Sequence, residues 1–142
     1  HPQGDMRGAF LWGRRGCARM LHGGKPRPDG TVALQLEAIM ADGEKLRRDI
    51  TFNTADYSLR ITDTLLSDSD IVTFIVAPGL HVEPAGDIAV FGHWRLHAPD
   101  GTIQTEQVTV AEEYGKLTPA TAIRITGRTG KCETTLTYKE TD

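Results

Sequence analysis

Residues 46–65, LRRDITFNTADYSLRITDTL, decide the fold of this chain. Apolar side chains alternate with polar ones in two runs, first at Ile50 and Phe52 and then at Tyr57, Leu59 and Ile61. A period of two places the apolar residues of each run on one face of a β-strand. The Thr-Ala-Asp sequence between the runs is typical of a turn. The stretch therefore predicts two antiparallel strands with one face towards the core and one towards water.

The same alternation recurs along most of the chain, and no segment has convincing helical spacing. Upstream, the apolar residues from Val32 to Met40 fall on even positions, and Asp42-Gly43 supplies a turn before the next strand. The further predicted strands are 32–40, 88–97, 102–112, 120–127 and 131–138. About ten short strands with frequent turn signals predict an all-β chain that forms a two-layer antiparallel β-sandwich with little or no helix.

Two segments are predicted to hold special positions in this sandwich. Residues 71–76, IVTFIV, are apolar on both faces and predict a central strand that is covered from both sides. Residues 1–30 contain Gly23-Gly24 and Pro26-x-Pro28, and we expect them to be loosely ordered or to add edge strands at Ala9–Arg14 and Ala18–His22. The chain shows no repeat or internal linker, so 1–142 is predicted to be a single β-sandwich domain.

Composition and charge exclude several classes of function. The net charge of −3 disfavours a general nucleic-acid binder, and no apolar run approaches the ~18 residues that span a bilayer. Residues 1–30 carry six basic and two acidic residues, a net charge of +4, which leaves −7 for the remainder. This basic strip fits an anionic polymer, an acidic neighbouring domain or a simple solvated surface. Residue 1 lies in a polar segment without a charged-then-apolar prefix, as we expect of a mature form or an excised fragment.

The motifs of catalysis and metal binding are also missing from the sequence. No nucleophile elbow, metalloprotease motif or phosphate-binding loop occurs, so we predict no catalytic residue, no metal and no cofactor. His93 and His97 lie four residues apart on a predicted strand, a separation of about 13 Å that is too long for one metal ion. Asp63 is expected to end a strand by accepting hydrogen bonds from turn amides. The other carboxylates considered for a catalytic pair are Asp49, Asp68, Asp70, Glu112 and Glu113.

The two cysteines, Cys17 and Cys132, are not in a metal-binding spacing. They could form a disulfide only if the first and last strands lie side by side. We expect both to be free buried thiols, because unpaired cysteine is usually buried.

Two groups of residues are candidates for ligand binding. Strand alternation predicts that Phe91, His93, Arg95 and His97 share one sheet face, where they could stack on and hydrogen-bond to a sugar or a partner domain, or form ordinary surface. The opposite face of the same strand, with Ile88, Val90, Trp94 and Leu96, is predicted to enter the core.

The second group is Trp12 with Arg14 and Arg15 in the basic strip. An aromatic ring beside two guanidinium groups suits stacking on a ligand together with carboxylate or sulfate binding. Core or interface packing of Trp12 is the alternative.

A series of short motifs, in a fixed order over residues 45–138, resembles the β-sheet domain of heparinase II/III-like proteins. An Arg-bearing strand is followed by an L-x-I-x-D strand, a Pro-Gly strand end and a late Glu-Tyr-Gly turn. The residues that carry the resemblance are Arg48-x-Ile50, Leu59-x-Ile61-x-Asp63-x-Leu65, Ala77-Pro78-Gly79-Leu80-His81-Val82, Glu113-Tyr114-Gly115 and Thr134-Thr135-Leu136.

The resemblance implies a bacterial accessory domain. In polysaccharide lyases of this kind, the sheet domain follows an α/α-toroid, and the enzyme cleaves uronic-acid polysaccharides, including glycosaminoglycans, by β-elimination. It implies that the chain is a fragment of a periplasmic or secreted lyase, that it is not active alone and that it could bind anionic polysaccharide. The helical toroid and the family's His-bearing strand have no counterpart here, so no catalytic role is transferred, and Tyr114 matches only a structural turn. A free-standing carbohydrate-binding module and a protein-interaction sandwich are the alternatives.

Overall fold

The computed structural model of the chain describes the backbone at 4–6, 12–15, 17–40, 42–64, 71–127 and 130–140, and the side chains of these ranges from residue 18 onward. Within these ranges there are thirteen β-strands and no helix, and hence no helix able to cross a membrane. The strands are β1 (Gly4–Met6), β2 (Trp12–Arg15), β3 (Cys17–Gly23), β4 (Thr31–Ile39), β5 (Lys45–Asn53), β6 (Ser58–Thr64), β7 (Ile71–Val76), β8 (Val82–Ala85), β9 (Ile88–Phe91), β10 (Trp94–His97), β11 (Gly101–Glu113), β12 (Lys116–Gly127) and β13 (Lys131–Tyr138).

The strands form two main antiparallel sheets of unequal size. The large sheet has eight strands in the order β3-β4-β5-β6-β13-β10-β9-β8, and the small sheet has three in the order β11-β12-β7. Strands β1 and β2 pair separately as a hairpin. This architecture confirms the predicted all-β sandwich of two antiparallel layers.

The meander β4-β5-β6 follows the predicted alternation and turns, with one exception. Tyr57, predicted to share the apolar face with Leu59 and Ile61, lies in the second turn with a φ of 55° and is 59% exposed. Gly43 has a φ of 88° in the first turn, a backbone conformation that glycine adopts without steric cost. The second turn is shaped by side chains, since Asp56 accepts hydrogen bonds from the backbone and hydroxyl of Ser58 at 3.0 and 2.6 Å. Register then places Ile50 opposite Ile61, so the apolar residues share the face that points towards the small sheet.

The core lies between the small sheet and the half of the large sheet that runs from β6 to β8. Its members come from both layers, and the most completely buried include Leu96 on β10, Ile123 and Ile125 on β12 and Cys132 on β13. The β4 side of the large sheet is different, because every residue of β4 is only partly buried. The small sheet therefore covers one half of the large sheet and leaves the other less covered.

The prediction that β7 is a central strand covered on both faces is wrong. β7 is an edge strand that pairs only with β12 among the described residues. Val72 and Val76 point into the core, whereas Ile71 and Ile75 on the opposite face are 48% and 60% exposed. The apolar sequence of β7 thus forms one buried face and one exposed apolar face.

The predicted single strand at 88–97 is in fact the hairpin β9–β10. Gly92, with a φ of 58°, and His93 form its two-residue turn. The turn reverses the chain, so Phe91 lies opposite Trp94 on the inner face. Ile88 and Val90, predicted to share a face with Trp94, lie on the other side of the sheet with His97 and Arg95.

The last hairpin is longer than predicted. β11 and β12 pair continuously from Gly101↔Gly127 to Glu113↔Lys116, with a register shift before Glu113. Tyr114 lies in the two-residue turn and is fully exposed, which agrees with a turn role and excludes a core role. The predicted loop at 114–119 is therefore reduced to residues 114–115.

Strand order also decides the pairing of the cysteines. Cys17 is on β3, and β4, β5 and β6 separate β3 from β13, which carries Cys132. Strands are spaced about 4.8 Å apart, so the two Cα atoms are too distant for a disulfide. Cys132 is a free buried thiol, as predicted, while the side chain of Cys17 lies outside the described residues.

Candidate functional site

A cleft of about 500 Å³ opens at the end of the large sheet where β9, β10 and β13 meet. The two-residue turn Gly92-His93 forms one wall, and the residues that follow β13 form another. The backbone carbonyl of His93 accepts a hydrogen bond of 2.9 Å from the amide of Lys139, which holds the chain after β13 against this turn. We call this site the β10 cleft. It is lined by Val90, Gly92, His93, Trp94, Arg95, Thr137, Lys139 and Glu140.

Three aromatic rings meet beside the β10 cleft. Register places Tyr138 directly opposite Trp94, and their ring centroids are 5.2 Å apart in an edge-to-face arrangement. The ring of His93 lies 5.5 Å from that of Tyr138 at an angle of 55°. Such offset and edge contacts are the favourable geometries for aromatic pairs. Tyr138 is 37% exposed but does not line the cleft, so His93 and Trp94 are the members of this group that a ligand in the cleft can reach.

Two cationic side chains also line the β10 cleft. Arg95 projects from the outer face of β10, and Lys139 follows β13. Neither side chain has a hydrogen bond or an ion pair with any residue that the structure describes. Glu140 is the acidic member of the lining, so the cleft has a net charge of +1 with His93 neutral. An arginine presents a fork of N–H donors that matches a carboxylate or a sulfate.

The structure brings together some of the predicted binding residues and separates others. His93 and Arg95 line the β10 cleft. Phe91 does not share their face, because the β9–β10 turn places it on the inner face. His97 is on the same face as Arg95, but its Nε2 lies 2.9 Å from Asp87 Oδ2 and it does not line the cleft.

Sequence reasoning found only His93 and Arg95 among the eight residues that line the cleft. Trp94, predicted to enter the core, is only partly buried and lies on the inner face. Thr137 and Lys139 reach the cleft only because β13, more than 40 residues later in the chain, pairs with β10. The side chains of the other predicted group, Trp12, Arg14 and Arg15, lie outside the described residues, where only the backbone of β2 is given.

A second cavity, of about 600 Å³, lies beside β7 over the less covered half of the large sheet. We call it the β7 groove. Its floor comes from β3, β4, β5 and β6, and its wall comes from the start of β7. The lining residues are Ala18, Leu36, Glu37, Ala38, Met40, Leu46, Arg47, Arg48, Asp63, Thr64, Ile71, Val72 and Thr73.

A charged pair marks the boundary between the β7 groove and the core. Arg48 donates to both carboxylate oxygens of Asp63, with Nε–Oδ1 at 2.7 Å and Nη2–Oδ2 at 3.2 Å. The guanidinium carbon also lies 5.3 Å from the ring centroid of Phe74 on β7. The expectation that Asp63 bonds turn amides is therefore wrong: Asp63 lies inside β6, and its partner is an arginine on the neighbouring strand.

No described group of side chains has the arrangement of a catalytic or metal centre. The carboxylates that line the β7 groove are each held by an arginine, Asp63 by Arg48 and Glu37 by Arg19. Glu112 accepts a hydrogen bond from Thr118, and Asp49 pairs with Arg47. No cluster of three or more metal-binding side chains occurs among the described residues. Asp68 and Asp70 lie outside them.

The remaining reactive groups are buried or paired on the surface. Burial, reinforced by the charge of nearby Asp63, raises the pKa of the Cys132 thiol. A neutral buried thiol is a poor nucleophile. His81 Nε2 lies 2.6 Å from Glu83 Oε1, and both side chains are largely exposed.

No protein-family model, no curated protein and no solved structure matches the chain. Its class is defined by its architecture, an unequal two-layer antiparallel β-sandwich with an aromatic and basic cleft at one end.

Proposed function

We propose that the chain is a non-catalytic β-sandwich domain that binds anionic sugar in the β10 cleft. The observation that supports this most directly is that His93 and Trp94 line the same cleft as two cations that lack partners among the described residues. His93 and Trp94 offer ring surface for the C–H face of a sugar ring, and Tyr138 packs against both rings. Arg95 and Lys139 offer donors for its carboxylate or sulfate.

The size and composition of the cleft support a sugar better than a large partner. A volume of about 500 Å³ is within the roughly 300–1,000 Å³ of ordinary ligand sites. The walls combine apolar and polar side chains, as in sites where ring stacking supplies contact area and a few polar groups fix orientation. An uncharged sugar would leave Arg95 and Lys139 without anionic partners, so we expect acidic sugars to be preferred.

The resemblance to heparinase II/III-like proteins gives this proposal a particular form. In that form the chain is the accessory sheet domain of a lyase that cleaves uronic-acid polysaccharides, and its cleft retains the polymer near a catalytic helical domain. The chain alone is then expected to produce no unsaturated sugar from heparin, heparan sulfate or alginate. A rise in ultraviolet absorbance at the wavelength of unsaturated uronates, caused by the purified chain, would refute the non-catalytic role.

Calorimetric titration with size-defined heparin and alginate oligosaccharides tests the binding role. Arg95→Ala is expected to weaken binding roughly tenfold or more, because a hydrogen bond to a charged group contributes about 1.5–3 kcal/mol. Arg47→Ala is the matched control, because Arg47 is also an exposed arginine but lies far from the cleft. We expect it to change the affinity little. A neutral maltohexaose should bind weakly to all three proteins. Equal loss in the Arg95 and Arg47 variants would show only general charge attraction and would contradict the proposed site.

A further inference from the structure

The four edges of the two main sheets differ in how they are protected against pairing with another strand. β8 has only four residues and contains Pro84. β3 carries Arg19 and a register shift between Met20 and His22. β11 carries glutamate and glutamine side chains and a register shift near its end. Short length, proline, charge and bulges are the usual devices that prevent edge-to-edge association.

β7 has none of these devices. Its sequence, IVTFIV, contains no charge, proline or glycine, and its register with β12 is regular over all six residues. At about 3.3 Å per residue, it presents an edge of about 20 Å. Among the described residues, β7 forms backbone hydrogen bonds only with β12, and its opposite edge has none. The strand therefore has the properties of a site for strand addition.

The β7 groove lies along this unprotected edge. Its wall includes Ile71, Val72 and Thr73 of β7, and its floor includes alternate apolar residues of β4 such as Leu36 and Ala38. Because Leu36 and Ala38 are two residues apart on one strand, their side chains point the same way. A strand laid beside β7 would place every second side chain on this floor.

We propose that the β7 groove receives an extended segment of a partner protein, which adds to the small sheet beside β7. The segment is uncharged and carries apolar side chains at alternate positions. The charge of the groove supports this chemistry, since its four charged lining residues balance and each is in an ion pair: Arg47 with Asp49, Arg48 with Asp63, and Glu37 with Arg19. No charged lining group is left to attract an acidic or a basic segment.

A second copy of the chain fits this site less well than a single strand. If the β7 strands of two copies paired antiparallel into one continuous sheet, the large sheets of both copies would lie on the same side of that sheet. The floor strands of each large sheet extend past the β7 edge, where they would meet the sandwich of the other copy. A single extended segment avoids this overlap. The added strand is distinct from the sugar site, which lies at β9, β10 and β13.

Selection from a phage-displayed library of random twelve-residue peptides tests the proposal. Peptides enriched on the folded chain should show uncharged apolar residues at alternate positions, and their binding should shift amide resonances of β7 and β4. Thr73→Lys places a charge on the exposed wall of the groove and should weaken the enriched peptides roughly tenfold or more. Ala38→Arg fills the floor and should do the same.

Leu117→Lys is the matched control, because it introduces the same charge at an exposed apolar residue of β12, outside the part of that strand that pairs with β7 and outside both proposed sites. It should leave peptide binding unchanged. Enriched peptides that bind the Thr73→Lys and wild-type proteins equally would overturn the proposal, as would a failure to enrich any peptide. A wild-type dimer that Thr73→Lys converts to a monomer would assign the edge to a second copy and would also overturn it. The Thr73→Lys variant should still bind heparin oligosaccharide, because the β10 cleft lies elsewhere. Measuring both ligands therefore distinguishes a failure of the proposed strand-addition site from a failure of the proposed sugar site.

Discussion

Replacing Arg48 by methionine tests whether the pair at the edge of the β7 groove stabilises the fold. Methionine keeps much of the arginine stem and removes both hydrogen bonds to Asp63. The Asp63 side chain is only 10% exposed, so water replaces these bonds poorly. A hydrogen bond to a charged group contributes about 1.5–3 kcal/mol, and the 36% exposure of Arg48 reduces the effect. We expect Arg48→Met to lower the free energy of unfolding by about 2–3 kcal/mol.

The control is the same substitution in an exposed ion pair. Arg124 and Glu106 are 2.6 Å apart, with side chains 44% and 49% exposed, so Arg124→Met should lower the free energy of unfolding by about 0–1 kcal/mol. Urea denaturation at pH 7, followed by tryptophan fluorescence, gives both values by linear extrapolation. Salt at 1 M should reduce the effect of Arg124→Met more than that of Arg48→Met, because exposed charges are screened more. Equal destabilisation by the two substitutions would refute the reasoning.

Three further predictions concern single buried or hydrogen-bonded groups. The hydroxyl of Thr134 is fully buried without a hydrogen-bond partner among the described residues. Thr134→Val should therefore raise the free energy of unfolding, measured by urea denaturation, by about 0.5–1 kcal/mol. A decrease of that size in the free energy of unfolding would contradict this. Burial raises the pKa of Cys132, so in a Cys17→Ser background a thiol reagent at pH 8 should modify it only as fast as the protein unfolds. In the unfolded chain the Cys132 thiol ionises above about pH 8.5, whereas in the native protein it stays neutral. The free energy of unfolding should therefore fall as the pH rises through that value. Hydrogen bonds from Ser58 lower the pKa of Asp56, so Ser58→Ala should raise that pKa in an NMR titration, and an unchanged value would contradict the assignment.

The meander could be predicted because three local signals agreed there. Every even position from Val32 to Met40 is apolar, alternation recurs around Leu59, and Asp42-Gly43 is a strong turn sequence. Each signal depends only on neighbours in the chain. The prediction of a two-layer sandwich rested on such local patterns and was confirmed.

The position of β7 could not be obtained in this way. An apolar strand is usually buried on both faces, but burial depends on whether another layer covers each face. Nothing in IVTFIV distinguishes a face covered by a sheet from one left open. The β9–β10 turn was missed for a related reason, since Gly92-His93 lies within an alternating run and is not one of the common hairpin sequences.

The candidate site was only partly predictable because its residues meet through long-range register. His93 and Arg95 were found from their types, but Thr137 and Lys139 join them only because β13 pairs with β10. The pairing of Arg48 with Asp63 likewise follows from adjacency of β5 and β6 on the inner face. Charged residues of an alternating strand are expected on the face towards water. Arg48 and Asp63 show that a charged side chain can lie on the inner face when a partner of opposite charge lies directly across from it.

The β7 groove follows from the unequal size of the two sheets. A three-stranded layer cannot cover all of an eight-stranded one, so part of the inner face of the large sheet remains accessible. The residues left there are apolar side chains of β4, beside an edge strand without protective charges. The β10 cleft has a different origin, because Arg95 and Thr137 project from the outer face, which the small sheet does not cover, beside the β9–β10 turn. The β10 cleft thus favours a polar ligand and the β7 groove an apolar strand, because the side chains exposed at the two sites differ.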